Sequence, residues 1–304
     1  MMEEKRIETN SLKAWLLAAR PKTLSGAAVP VMIGVALAYV DAKTYDDDVF
    51  SWLAAVLCLL FAFVMQIDAN FINDFFDFAN GTDDVETRLG PRRACAMGWV
   101  KLNSMKKAIA ATTCLACLIG LPLVYWGGLE MILVGLICLL FCFLYTTHLS
   151  YMGLGDVLVL VFFGIVPVCI TYYVQLHVVT WEVFLASLAC GLVIDALLLV
   201  NNFRDRDTDR EAGKNTLVVR IGAKGALQCY LGVGIGTMIL GFTFLMNGHP
   251  LAFFLPFVYF IFHVYTYLKI KRIDKGKALN ICLGETARNI FIYGLCVVAG
   301  LVLI

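Results

Sequence analysis

Residues 52–77 read WLAAVLCLLFAFVMQIDANFINDFFD, and this stretch decides the fold. From Trp52 to Met65 there is no charged or amide side chain. A helix needs about 20 largely apolar residues to cross the hydrocarbon core of a bilayer. This run supplies most of them and then continues into Gln66, Asp68, Asn70, Asn73, Asp74 and Asp77. At 100° per residue, Gln66, Asn70, Asn73, Asp74 and Asp77 fall within a sector of about 100°. One helix therefore joins a membrane-spanning body to an amide-and-carboxylate stripe at one end. Facing that stripe to lipid is costly, so it is expected to point inward. Asp68 points roughly opposite to Asp77 and is expected to pair with a neighbouring helix.

Working outward, the whole chain shares this character. Of its 304 residues 61% are hydrophobic and 15% charged, against about 45–50% and about 25% in soluble domains. That balance excludes a soluble enzyme, a nucleic-acid-binding module and a disordered chain. Nine apolar runs are long enough to span, at approximately 22–40, 52–74, 105–126, 129–147, 156–176, 181–201, 224–246, 250–268 and 287–304. The expectation is an all-α polytopic membrane protein of nine transmembrane helices forming one domain over residues 1–304.

Charge placement orients it. The tail to Lys22 carries five Lys/Arg, and 88–107, 204–224 and 269–288 carry six each, so only Lys43 of the 24 lies elsewhere. With nine spans those four segments share the side of the N-terminus, which the positive-inside rule makes cytoplasmic. The eleven cysteines sit mostly in or beside apolar runs and read as small packing residues, since no zinc-like spacing accompanies Cys114 and Cys117. No signal-peptide cleavage site follows the first apolar run.

A second stripe follows the sixth span, in Asp195-Ala-Leu-Leu-Leu-Val-Asn201-Asn202-Phe-Arg204-Asp205-Arg-Asp207-Thr-Asp209-Arg210. Asp195, Asn202, Asp205 and Asp209 share a sector of about 80°. Asn73 and Asn202 each end a span and precede an aspartate by three or four residues, which points to a weak internal repeat of helices one to four and five to eight. Several carboxylates with amides suit hard divalent cations, and Mg²⁺ is usually held by a few carboxylates together with substrate phosphates. Arg88, Arg92 and Arg93 follow the first stripe and Arg204, Arg210 and Lys214 the second, cations suited to phosphate oxygens. A diphosphate on a long lipid fits both halves of this chemistry: its head meets the metal at the membrane face, and its tail lies between apolar helices.

Asn73-Asp74-Phe-Phe-Asp77-Phe-Ala-Asn-Gly81-Thr-Asp83 resembles the first aspartate-rich motif of the UbiA superfamily of intramembrane prenyltransferases, and Asn202-Phe-Arg-Asp205-Arg-Asp-Thr-Asp209 resembles the second. Ala19-Arg20-Pro21-Lys22-Thr23, Arg88-Leu-Gly90-Pro91-Arg92-Arg93, Gly153-Leu-Gly155-Asp156 and Gly213-Lys214-Asn215-Thr216-Leu-Val-Val-Arg220 are similar to the branch that acts on 1,4-dihydroxy-2-naphthoate. The match covers about residues 14–225. It departs from many superfamily members in having Gly81 where they carry the last aspartate of the first motif, the next carboxylate here being Asp83. Thr147-His148-Leu149-Ser150 replaces a Gly/Pro-rich turn.

The resemblance implies transfer of a polyprenyl group from polyprenyl diphosphate to 1,4-dihydroxy-2-naphthoate with decarboxylation, a menaquinone-pathway step in the bacterial cytoplasmic membrane. It implies Mg²⁺ held by Asn73, Asp74, Asp77, Asp83, Asp205 and Asp209. Asn73, Asp77, Asp205 and Asp209 form its catalytic core, and Arg88, Arg210, Lys214 and Asn202 take the diphosphate. The alternatives are another aromatic acceptor such as 4-hydroxybenzoate, and an ion-coupled transporter. A transporter places its site near the bilayer midplane, whereas both stripes here crowd one end of their helices.

Overall fold

The computed structural model describes residues 7–45, 49–81, 88–145 and 153–303. Asp83, Asp84, Glu86 and His148 lie outside the described residues. Among the described residues every regular element is helical.

The chain begins with a short helix, α1 (Leu12–Ala19), capped by the Ser11 side chain accepting from the Ala14 N–H. It ends at Arg20, which takes a left-handed conformation (φ 51°) immediately before Pro21. That break turns the chain into α2 (Leu24–Tyr45). Then follow α3 (Trp52–Ala79), α4 (Leu102–Gly127), α5 (Glu130–Leu144), α6 (Gly155–Leu176), α7 (Trp181–Glu211), α8 (Leu217–Met246), α9 (Pro250–Ile273) and α10 (Leu279–Val302).

Eight segments are long and apolar enough to cross a bilayer, the first of them Leu12–Thr44. The expected fourth span is the shorter, 15-residue α5. At 1.5 Å per residue it rises about 22 Å, so the expected count of nine is approximate. Two helices depart from regularity. In α6 residues Leu160–Ile165 form a π segment ahead of Pro167, and in α8 Gly222 breaks the helix at φ 71°.

The core gathers around α7. In its most apolar window 67% of residues are buried inside the protein, against 17% in α4. Val29, Ile33 and Leu37 of α2 meet Val168 and Tyr172 of α6, Ala186, Cys190 and Val193 of α7, and Ile290, Tyr293 and Val297 of α10. Leu118 on α4, Leu133 and Leu136 on α5, Ile239 on α8 and Ile261 on α9 face outward, as they do where the surrounding solvent is lipid. Small residues let α7 be central. A methyl at Gly164 of α6 would stand 2.6 Å from the Gly191 Cα and 2.7 Å from the Ser187 carbonyl oxygen, so the two backbones cross in contact. All eleven cysteines are free, five of them buried, while Cys114 and Cys117 are exposed on α4. Asp68 is fully buried and accepts from the hydroxyls of Thr112 (2.5 Å) and Thr113 (2.8 Å). It therefore ties α3 to α4, the pairing its position on the helix foretold.

Candidate active site

The two acidic stripes end α3 and α7. On α3, Asn73 and Asp77 are half-buried while Asp74, next to them, is 1% exposed. The two aspartates do different work. Asp74 accepts from the backbone N–H of Ala94 (2.8 Å) and of Cys95 (2.9 Å), one at each carboxylate oxygen. It thereby folds the loop after the stripe back beneath the helix end. This loop carries the Arg93 side chain, whose Nη2 donates to Asp77 Oδ2 at 2.5 Å.

On α7, Asp205 is gripped by its neighbour: Arg204 donates through Nε (2.8 Å) and Nη2 (2.5 Å) to the two carboxylate oxygens. The Arg204 guanidinium is buried and also donates to Asn201 Oδ1 and Asn280 Oδ1, both at 2.8 Å. Asn280 in turn donates to the Leu89 carbonyl at 2.9 Å. A continuous chain of bonds thus runs from Asp205 through the start of α10 to the loop that follows the first stripe. A methyl at Gly90 would stand 2.7 Å from Arg204 Nη2, so a side chain there would push the guanidinium away from its partners. One residue on, Arg206 is held by the Phe203 and Asp274 carbonyls and the Asp274 carboxylate.

Asp209 and Asn202 are both buried on the inward face of α7. Lys214 lies 3.8 Å from Asp209, while Arg210 is exposed on the last turn. Arg88 donates through Nε to the Pro91 carbonyl at 2.8 Å. Its guanidinium is pushed down to about 10, by burial first and by Arg93 second, against the opposing pull of Asp77 and Asp205. Its charge therefore senses an aspartate from each stripe together with Arg93 and Arg204.

The second pair of motif segments also meets. Gly153 has φ 76°, and a methyl there would overlap the Asn215 carbonyl oxygen and stand 2.8 Å from Arg220 Nη2. Arg220 Nε donates to the same carbonyl at 3.1 Å. The segments 88–93 and 204–205, and 153–156 and 215–220, are thus packed against each other, pairings that sequence distance hides. Asn280 had no signal in the sequence: it is an unpatterned asparagine in a basic segment. Arg93 and Arg204 were visible as cations near the stripes, but their partners were not.

The donors suit a hard cation: Asn73, Asp77, Asp205 and Asp209 offer oxygen ligands only. Among the described residues no three His, Cys, Asp or Glu side chains converge closely enough to hold a metal by themselves. With Asp77 and Asp205 each paired to an arginine, the set fits a cation that arrives with phosphate oxygens of its own.

The UbiA prenyltransferase family model matches residues 27–302. A 1,4-dihydroxy-2-naphthoate octaprenyltransferase of Escherichia coli (strain K12) is 36% identical, over 75% of this chain and 74% of its own length. One of Haemophilus influenzae is 35% identical, over 78% and 82%. In fold, the chain is similar to the apo structure of a UbiA homolog from Aeropyrum pernix K1, with TM-score 0.69 and 16% identity over 92% of this chain and 97% of that one. It is also similar to a UbiA homolog from Archaeoglobus fulgidus bound to DMAPP and Mg²⁺, with TM-score 0.58 and 17% identity over 94% and 99%. The helical bundle, the two carboxylate stripes at one end of it and these matches together place the chain in the UbiA prenyltransferase family.

Proposed function

We propose that the protein transfers a polyprenyl group from polyprenyl diphosphate to 1,4-dihydroxy-2-naphthoate, with loss of the ring carboxylate, as a step towards menaquinone. The observation that carries this is the joining of the two stripes at one end of the bundle, where Arg93 holds Asp77, Arg204 holds Asp205, and Asn280 ties Arg204 to the Leu89 carbonyl, so that several cations crowd together beside the carboxylates. Cations crowded against one another gain most from an anion bearing several negative charges, and a diphosphate is such an anion. The naphthoate as acceptor is supported by the names of the relatives that are 35–36% identical over about three-quarters of the chain.

Asn73, Asp77, Asp205 and Asp209 would hold Mg²⁺. Asp83 is proposed as a further ligand, and Asp74 serves mainly to anchor the loop, since both its oxygens already accept from backbone. When bound, the metal supplies charge neutralisation to the departing diphosphate. Arg88, Arg93, Asn202 and Lys214 bind the phosphate oxygens, with Arg210 at the exposed rim. On binding, Arg93 and Arg204 are able to exchange carboxylate for phosphate without leaving their places. As the C1–O bond of the prenyl chain breaks, these fixed cations take the developing charge with no reorganisation of solvent. The apolar helices keep water from the allylic cation until the ring attacks. The tail lies among the helices, and the basic segments put this end of the bundle and the N-terminus on the cytoplasmic side of a bacterial inner membrane.

The test is turnover by purified protein in detergent with Mg²⁺, a prenyl diphosphate and 1,4-dihydroxy-2-naphthoate, read by mass spectrometry. A decarboxylated prenyl-naphthoquinone that disappears with EDTA is the expected product. Prenylation of 4-hydroxybenzoate in its place would move the protein to another acceptor, and no product with either would overturn the reading.

A further inference from the structure

Below the diphosphate site lies a second pair of carboxylates that the metal does not account for. Asp195 is on the inward face of α7, 7% exposed, and its Oδ1 is buried with no hydrogen-bond partner. Asp156, on the first turn of α6, has a buried Oδ1 in the same condition. The two stand in each other's field. Among the described residues neither has an ion-pair partner.

Packing brings the start of α6 against this part of α7. The Gly164–Gly191 crossing presses the π segment of α6 onto α7 one turn before Asp195. At the other end a methyl on Gly155 would stand 3.3 Å from Leu198 and 3.9 Å from the Tyr145 hydroxyl. That hydroxyl lies in the field of Asp156, Asp195 and Asp77.

Two orphaned buried carboxylate oxygens are costly unless something supplies hydrogen to them. A hydroxyl group of a bound molecule would satisfy both oxygens. By helical rise Asp195 is about 15 Å from Asp205 along α7. That separation accommodates a diphosphate, the C1 carbon and one fused aromatic ring in succession.

We propose that Asp156, Asp195 and the Tyr145 hydroxyl seat the hydroxyl groups of the aromatic acceptor, and that Asp195 takes the proton of one of them as the ring is alkylated. This rests on the prenyl-transfer reading above. In the step, the C1–O bond breaks and its electron pair leaves on the diphosphate. A ring carbon next to a hydroxyl-bearing carbon forms the new C–C bond with its π pair. The hydroxyl proton passes to Asp195 Oδ1, and the O–H pair becomes the π bond of a ring ketone. Carboxylates select here for hydroxyl donors and against an acceptor that presents a negative group to the same place. Opposite the metal site, this is a specificity element for dihydroxylated rings.

The test compares wild type with Asp195→Asn and Asp156→Asn, both isosteric. Thermal protection by prenyl diphosphate with Mg²⁺ reports an intact fold and donor site. Asp195→Asn is expected to lower kcat/KM for the acceptor by about 100-fold and to leave that protection within about twofold. Asp156→Asn is expected to bring the dissociation constants of 1-hydroxy-2-naphthoate and the 1,4-dihydroxy compound together. Unchanged acceptor kinetics in Asp195→Asn, or equal loss of acceptor and prenyl diphosphate binding, would overturn the assignment. If wild type makes no naphthoquinone at all, the functional reading fails instead. The binding arms then still decide the seat, because a dihydroxy ring that binds wild type and both variants alike rules it out.

Discussion

The ends of α3 and α7 resemble each other in sequence and are built by different means. Both present an asparagine and two aspartates, and both give one aspartate to an arginine. On α3 the arginine comes from a loop, and a second aspartate, Asp74, is spent on holding that loop through two backbone amides. On α7 the arginine is the preceding residue of the same helix, fixed from outside by Asn280. The first half holds its site with an anion that grips backbone, the second with a cation that grips side chains. Similar stripes therefore need not share a scaffold, and a likeness between the two halves is carried by the candidate ligands alone.

That contrast is open to attack, and the sharpest blow falls on what the halves share. Asp77→Asn and Asp209→Asn are each expected to cut turnover by about 1000-fold, the upper range for removing one fixed electrostatic group from an active site. Release of diphosphate measures this, with gel filtration to show that the protein stays folded. Full activity in both variants would remove the basis for a metal–diphosphate site.

The next pair separates the scaffolds. Asp74→Ala leaves two buried amides unsatisfied, and Arg204→Ala strands Asp205, Asn201 and Asn280. Each is expected to destabilise the protein by about 3–5 kcal/mol, read as a lowered thermal midpoint in detergent. They should differ in rescue: Asp74→Asn recovers little, because an amide offers one acceptor where two are needed, whereas Arg204→Lys keeps a charge against Asp205. Equal rescue would dissolve the contrast.

Asn280→Ala probes the link alone. Loss of one bond to Arg204 and one to the Leu89 carbonyl should cost about 1–2 kcal/mol and weaken prenyl diphosphate binding more than acceptor binding. The smallest effect concerns Cys95. Burial, and then the negative charge of Asp74, push its thiol up to about 12. Against an ordinary thiol it carries about a thousandfold less thiolate at pH 8, so alkylation of the folded protein there should be slow. Asp74→Asn removes the second cause, lowers the thiol pKa and should speed the reaction at fixed pH.

Much of this was legible before any tertiary structure. Trp52–Asp77 already held a span, an inward stripe and an Asp68 set against it, because helical period and the cost of a carboxylate in lipid act within one helix. Asp195 was visible as the deep end of its stripe for the same reason. What escaped was every relation between helices. The sequence shows Asp74 and Asp77 as equivalent members of one motif, and only the fold of residues 93–95 under the helix end separates anchor from candidate ligand. It shows Gly90 and Gly153 as motif glycines, and only packing against Arg204 and against the Asn215 carbonyl says why a side chain has no room. Composition, periodicity and charge determined a helical membrane protein with acid and base at one end, since those follow from the solvent each residue must face. The partners of Arg204, the packing of Gly155 against Leu198 and the crossing at Gly164 were decided by close approach of distant segments. Distance in space is not encoded in any one helix's pattern.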